Sequence, residues 1–137
     1  MTTYVLIEQE DWFEREIGFV RRLLKPAMRA LDVGASFGTY TLAMAQAVEP
    51  DGKVWAYEPA AATMGYLRKT IERNKLTNVE LYEAAMADRE GIGRLQLEER
   101  SELNRLVADG AGQPVSLTTL DAEQTLRDFG RIDFVKL

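Results

Sequence analysis

The chain has neither cysteine nor histidine. Without cysteine there can be no disulfide framework, zinc knuckle, iron–sulfur cluster or thiolate nucleophile. Without histidine there is no imidazole base and no histidine-based metal site, and no metal is expected. Chemistry within these residues falls to carboxylates, hydroxyls, lysines or a bound cofactor, which sets aside radical and metal-hydrolase readings. Long apolar runs are missing too, none approaching the roughly 18 residues that a membrane span needs. The first residues, Met1 to Glu8, lack a basic segment followed by an apolar one, so the expected location is cytoplasmic. Nor is there a dense Lys/Arg stripe. The 17 basic side chains face 22 acidic ones, and the net charge of −5 argues against nucleic acid as a partner.

What is present suffices for one domain: 137 residues, 46% of them hydrophobic, can bury a core. Phe13, Ile17, Val20 and Leu24 recur at helical spacing between the start signal Asp11/Glu14 and the stop at Pro26, predicting a helix over 11–25. Arg29–Val33 reads as a short buried strand, Thr39–Val48 as an Ala-rich helix, and Lys53–Tyr57 as a second strand. Met64, Leu67 and Ile71 line the inner face of a helix that Asn74 caps, and Val79–Ala84 is a third strand. This alternation predicts an α/β fold with a doubly wound, mostly parallel sheet in three layers.

Beyond it the pattern changes. Arg94–Glu98 alternates with period two as an edge strand, Ser101–Gly112 reads as a loop, and Pro114–Leu117 pairs back. Asp121 and Gln124 open a helix to Phe129. Ile132–Leu137 reads as an interior strand, so the sheet is expected to lack its C-terminal strands or to be completed by another segment or subunit. Trp12 and Phe13 are read as helix-packing anchors, Glu98-Glu99-Arg100 as a solvated run, and Asp88 as a turn residue.

The chemistry concentrates in Leu31-Asp32-Val33-Gly34-Ala35-Ser36-Phe37-Gly38 and in Val54-Trp55-Ala56-Tyr57-Glu58-Pro59. The first is a strand breaking into a glycine turn that opens a helix; the second is a strand ending in a carboxylate. Neighbouring parallel strands of this kind put open backbone amides beside an acceptor for a ribose diol. Glu58 follows Gly34 at about the roughly 20-residue spacing of a ribose-binding acid. Ser36 stands where a dinucleotide fingerprint has its middle glycine, so a diphosphate has less room. A ligand with an amino-acid tail needs less. Its carboxylate can use the amides and hydroxyl near Phe37–Thr39, with Asp32 facing its ammonium. A nucleoside joined to an amino acid is S-adenosylmethionine. Ser36 and Thr39 fit the role of ordinary helix caps equally well.

Leu31–Thr41 resembles the first motif of class I S-adenosylmethionine-dependent methyltransferases in their FkbM-type form. The resemblance runs on through Gly52–Pro59, Leu67–Val79, Glu83–Asp88, Gly91, Leu117–Asp121 and Ile132–Leu137, from about residue 28 onward. It implies a Rossmann-like domain over 28–137, with residues 1–27 a helical segment packing on it. It implies that Gly34, Ala35 and Gly38 wrap the methionine moiety, with Asp32 at its ammonium and Glu58 on the ribose. Pro59 and Ala60 would flank adenine, and Ala85 and Met86 would close over the base. The implied activity is O-methylation of a hydroxyl on a small molecule or sugar, without an obligatory metal. The family's acidic segment after the last strand has no counterpart here, so the cofactor half is expected without much of the acceptor half, and no catalytic base is named. Two other readings stay open: a non-catalytic binding module whose sheet a partner or second copy completes, and an NAD-dependent oxidoreductase.

Overall fold

The computed structural model describes residues 15–98, 104–107 and 112–137. Trp12, Phe13, the first residues of the expected N-terminal helix, and most of 99–111 lie outside them. In chain order the elements are α1 (Arg15–Leu23), β1 (Arg29–Val33), α2 (Thr39–Val48), β2 (Lys53–Tyr57), α3 (Ala61–Arg73) and β3 (Val79–Tyr82). There follow β4 (Ala85–Met86), β5 (Gly91–Gln96), β6 (Arg105–Val107), β7 (Gln113–Thr118), α4 (Leu120–Arg127) and β8 (Phe134–Lys136).

The main sheet is wholly parallel, in the order β3-β2-β1-β8. Its faces follow from the two-residue period of a strand. Ala30 and Val54 meet Val20, Leu24, Met44, Ala45 and Val48, while Ala56 meets Met64, Leu67 and Ile71, so α1, α2 and α3 cover one face. Leu31, Trp55 and Tyr57 point the other way, onto Phe129 beyond α4. The expected α/β/α layering is what forms.

β8 lies at the end of this sheet and pairs with β1 alone among the described residues, so Val135 remains 41% exposed. The sequence read it as an interior strand because four of its six residues are apolar. A second sheet, ordered β4-β7-β5-β6, holds the hairpin expected from period-two alternation, β5 running antiparallel to β7. The third strand stops at Tyr82 rather than Ala84, because the chain bends there and Ala85–Met86 joins this second sheet, parallel to β7. Within the stretch read as a loop, Arg105–Val107 pairs with β5 as β6. Asn74 caps α3, its Nδ2 donating to the Thr70 carbonyl at 2.8 Å. No helix among the described residues is long and apolar enough to cross a membrane.

One buried polar cluster braces α4 against the sheet. The Tyr57 hydroxyl donates to Glu123 Oε2 at 2.7 Å, Thr118 Oγ1 to Glu123 Oε1 at 2.8 Å, and Arg127 Nε to Oε2 at 3.0 Å. Burial pushes the Glu123 carboxyl up, but these donors outweigh it and hold the group below the ordinary carboxylate range. Burial and the same carboxylate drive the Tyr57 phenol well above its usual value. Tyr82 stacks on Tyr57 at 5.0 Å, and burial with its bond to Glu80 pushes its phenol up to about 12.

Candidate functional site

The carboxyl ends of β1 and β2 meet in one tied structure. The amides of Gly34 and Ala35 both donate to the Tyr57 carbonyl at 2.9 Å, drawing the glycine turn over the end of β2. Glu58 continues that strand. Its Oε2 accepts the Ser36 amide at 2.9 Å and its Oε1 the Ala60 amide at 2.9 Å. Each oxygen keeps a lone pair for a further donor. Burial raises the Glu58 carboxyl above the ordinary range, against the lowering effect of the two amides and Lys136.

The turn reverses through three left-handed residues, Gly34 (φ 71°), Ser36 (φ 50°) and Gly38 (φ 91°). Gly38 admits no side chain, since a Cβ there would strike Leu67. Ser36 occupies the left-handed conformation at a cost of roughly 1–2 kcal/mol, and its amide bond to Glu58 holds it there. Gly38 is also the cap residue of α2, and no side chain caps that helix. The N-cap position of α2 thus falls to Gly38, not to Ser36 or Thr39. With glycine at the N-cap, that position supplies no side-chain acceptor to the α2 N-terminus, the arrangement that suits an anion.

Asp32 is fully buried. Its Oδ2 accepts the Thr41 hydroxyl at 2.6 Å, while Oδ1 has no hydrogen-bond partner. Lys136 Nζ stands 3.3 Å from Oδ1, near enough to pair charge but outside hydrogen-bonding geometry. The same ammonium donates to the carbonyls of Gly34 (2.9 Å) and Val33 (3.2 Å). Lys136 and Thr41 are the partners that reasoning from sequence did not single out. The signal for Lys136 was a lysine inside an apolar strand, but only the parallel register pairs it with Asp32.

Among the other expected site residues, Ala35 packs with Met64 and Leu67 in the core, so its backbone faces the turn. Phe37 is half-buried, its ring edge-on to Tyr66 at 5.8 Å. Thr39 opens α2. Pro59 is half-buried beside Glu58, and Ala60 packs against Ala85 in one apolar cluster. Met86 turns to the opposite side, toward Tyr57 and Phe129. No three acidic side chains gather as a metal site among the described residues. A diol acceptor, open helix amides and an orphaned buried carboxylate oxygen fit the ribose, carboxylate and ammonium of S-adenosyl-L-methionine.

Comparison with known proteins reaches the same cofactor. Residues 7–119 match the family model described as protein-L-isoaspartate(D-aspartate) O-methyltransferase. No curated protein sequence matches the chain. Among solved structures, an rRNA-methylase candidate from Clostridium thermocellum is 17% identical with a TM-score of 0.50, over 52% of this chain and 39% of that one. At that identity the likeness is one of fold. A SAM-dependent methyltransferase from Aquifex aeolicus is 26% identical, with a TM-score of 0.46 over 56% of this chain and 44% of its own. A methyltransferase candidate from Streptococcus mutans, solved with SAH, is 20% identical, with a TM-score of 0.47 over 52% of this chain and 39% of its own. The chain thus spans about two fifths of the length of these structures.

The match corrects the expected FkbM-type assignment. The motifs that suggested it run from the glycine turn through Gly52–Pro59, Leu67–Val79 and Glu83–Asp88 to Ile132–Leu137. Most of those motifs lie within residues 7–119, the span that the other family's model matches.

Proposed function

The chain belongs to the protein-L-isoaspartate(D-aspartate) O-methyltransferase family, and on that premise we propose that residues 28–137 form the cofactor-binding module of an oxygen-directed methyltransferase. The observation that carries this reading is Glu58, a buried strand-end carboxylate held by the Ser36 and Ala60 amides with a lone pair left on each oxygen.

S-adenosyl-L-methionine supplies a methyl group already activated on a sulfonium, for in-line displacement by the acceptor. In our reading Glu58 accepts both ribose hydroxyls and so fixes the nucleoside. Gly34, Ala35 and Gly38 offer backbone to the amino-acid tail, and the amides near Ser36, Phe37 and Thr39 face its carboxylate. Pro59, Ala60 and Ala85 border the adenine, whereas Met86, turned toward Tyr57 and Phe129, does not take the place expected of it over the base. The described part of the N-terminal segment, from Arg15 on, packs through Val20 and Leu24 against α2 and steadies the helix whose N-terminus serves the tail.

The acceptor follows from proton bookkeeping. A hydroxyl of a small molecule or sugar must lose a proton as it is methylated. A carboxylate is already anionic at neutral pH and needs no base. The family's name specifies an aspartyl-type acceptor, and we therefore assign a carboxylate oxygen, on a peptide or small molecule, as the methyl acceptor.

Calorimetric titration of S-adenosylhomocysteine, with Glu58→Ala as control, tests the cofactor site. Binding that the substitution weakens by about 1.5–3 kcal/mol, the worth of hydrogen bonds to a charged acceptor, supports the reading. No binding by the folded wild-type chain overturns it. Methyl transfer from labelled cofactor then tests the acceptor, because a methyl ester releases its label in mild alkali and an ether does not.

A further inference from the structure

We infer that Lys136 is a specificity-determining residue, an internal ammonium seated where the cofactor's own α-ammonium must go, so that the two compete for one set of acceptors. The inference rests on the cofactor reading above and adds a residue to which neither the motif nor the family description gives a role.

Its basis is the surroundings of Nζ. An alkylammonium has three donors and no acceptor. Here the Gly34 carbonyl lies at 2.9 Å, the Val33 carbonyl at 3.2 Å and Asp32 Oδ1 at 3.3 Å. The Tyr40 ring closes a further side, its centroid 5.4 Å away. One acceptor belongs to the glycine turn and one to the last residue of β1 before it. The third is the only buried polar side-chain atom without a hydrogen-bond partner among the described residues.

That is a seat built for a primary ammonium. Its outer side reaches solvent, since the Lys136 side chain keeps 24% of its surface exposed. The amino-acid tail of the cofactor brings an ammonium to the same turn, and two cations cannot share these three acceptors. While Lys136 holds the seat, recognition rests on the nucleoside end, through Glu58. The chain should then discriminate little between a nucleoside carrying the tail and one lacking it.

Two ligands differing only in the tail decide the matter. S-adenosylhomocysteine has it; methylthioadenosine has the same thioether nucleoside without it. Each is titrated calorimetrically into the wild type and into Lys136→Met. The variant should bind S-adenosylhomocysteine about tenfold more tightly, the scale of one charge-assisted hydrogen bond, with methylthioadenosine unchanged. Equal weakening of both ligands would make Lys136 a strut of the turn and overturn the inference. Selective weakening of S-adenosylhomocysteine would place the lysine on its carboxylate and overturn it as well. If Lys136→Met fails to fold with Asp32 buried beside no cation, Asp32→Asn/Lys136→Met leaves no unpaired charge. That pair should keep the selective tightening at a smaller factor, because the Val33 and Gly34 carbonyls are still freed; its absence overturns the inference. Failure of the wild type to bind either ligand is the distinguishable case, in which the cofactor reading falls and takes this inference with it.

Discussion

Glu58 carries two tasks whose electrostatics pull against each other. As a buried carboxylate its pKa is raised, so the folded chain takes up a proton more readily than the unfolded one. Its ionised form therefore costs stability at neutral pH, and that cost is relieved as pH falls through the raised value. A ribose diol donates to the same carboxylate and favours the ionised form. Affinity for S-adenosylhomocysteine should thus decline on acidification starting above pH 4.5, the group's ordinary value, while Glu58→Gln gives a flat profile by calorimetry across the same range. The residue was legible in the sequence, because a strand-end acid after a glycine turn is a local pattern. Its partners, the amides of Ser36 and Ala60, were not, since they depend on how the turn closes over β2.

At the scale of elements, α4 is held less by apolar contact than by Glu123, whose carboxylate takes donors from β2, β7 and α4 itself. Glu123→Ala strands the buried Tyr57 hydroxyl without its acceptor and should cost about 1–3 kcal/mol, read as a lower urea midpoint with an unchanged slope. The folded pKa of Glu123 lies below its unfolded value, so its contribution is present above pH 4.5 and lost as pH falls through the lowered value. The helices and the first three strands were readable from local pattern: helical apolar spacing, an alanine-rich run for α2, and short buried runs for the strands. The Glu123 cluster was not: Tyr57 and Glu123 are far apart in sequence, and a glutamate in an amphipathic helix reads as solvated. β6 escaped for a different reason. Its three residues sit in a polar, glycine-bearing stretch and become a strand only because β5 offers them an edge.

At the scale of the whole molecule, the sheet order decides what the site can be. β1 lies between β2, which follows it closely, and β8, which follows it by about a hundred residues. The Arg29 amide donates to Asp133 Oδ2 at 3.0 Å, and the Asp133 amide returns to the Arg29 carbonyl at 2.9 Å, fixing the β8 register at the base of the strand. Asp133→Ala removes one of these two bonds and should lower stability by about 1 kcal/mol, measurable by the same urea titration. It should leave Glu58-dependent binding intact, because Glu58 belongs to the other side of β1.

The placement of Lys136 on that distant strand has a consequence in time. Loops of such length close slowly, and contacts between remote segments come late in folding. The turn, Glu58 and the first three strands are tied together by pairings among residues 29–82, whereas the Lys136 ammonium reaches Asp32 only through the pairing of β8 with β1. The ammonium seat fills only when that last pairing is made. On the contact-order expectation, the ammonium seat is therefore among the last contacts of the fold to close, and a slow phase sensitive to Lys136→Met in stopped-flow refolding would report it.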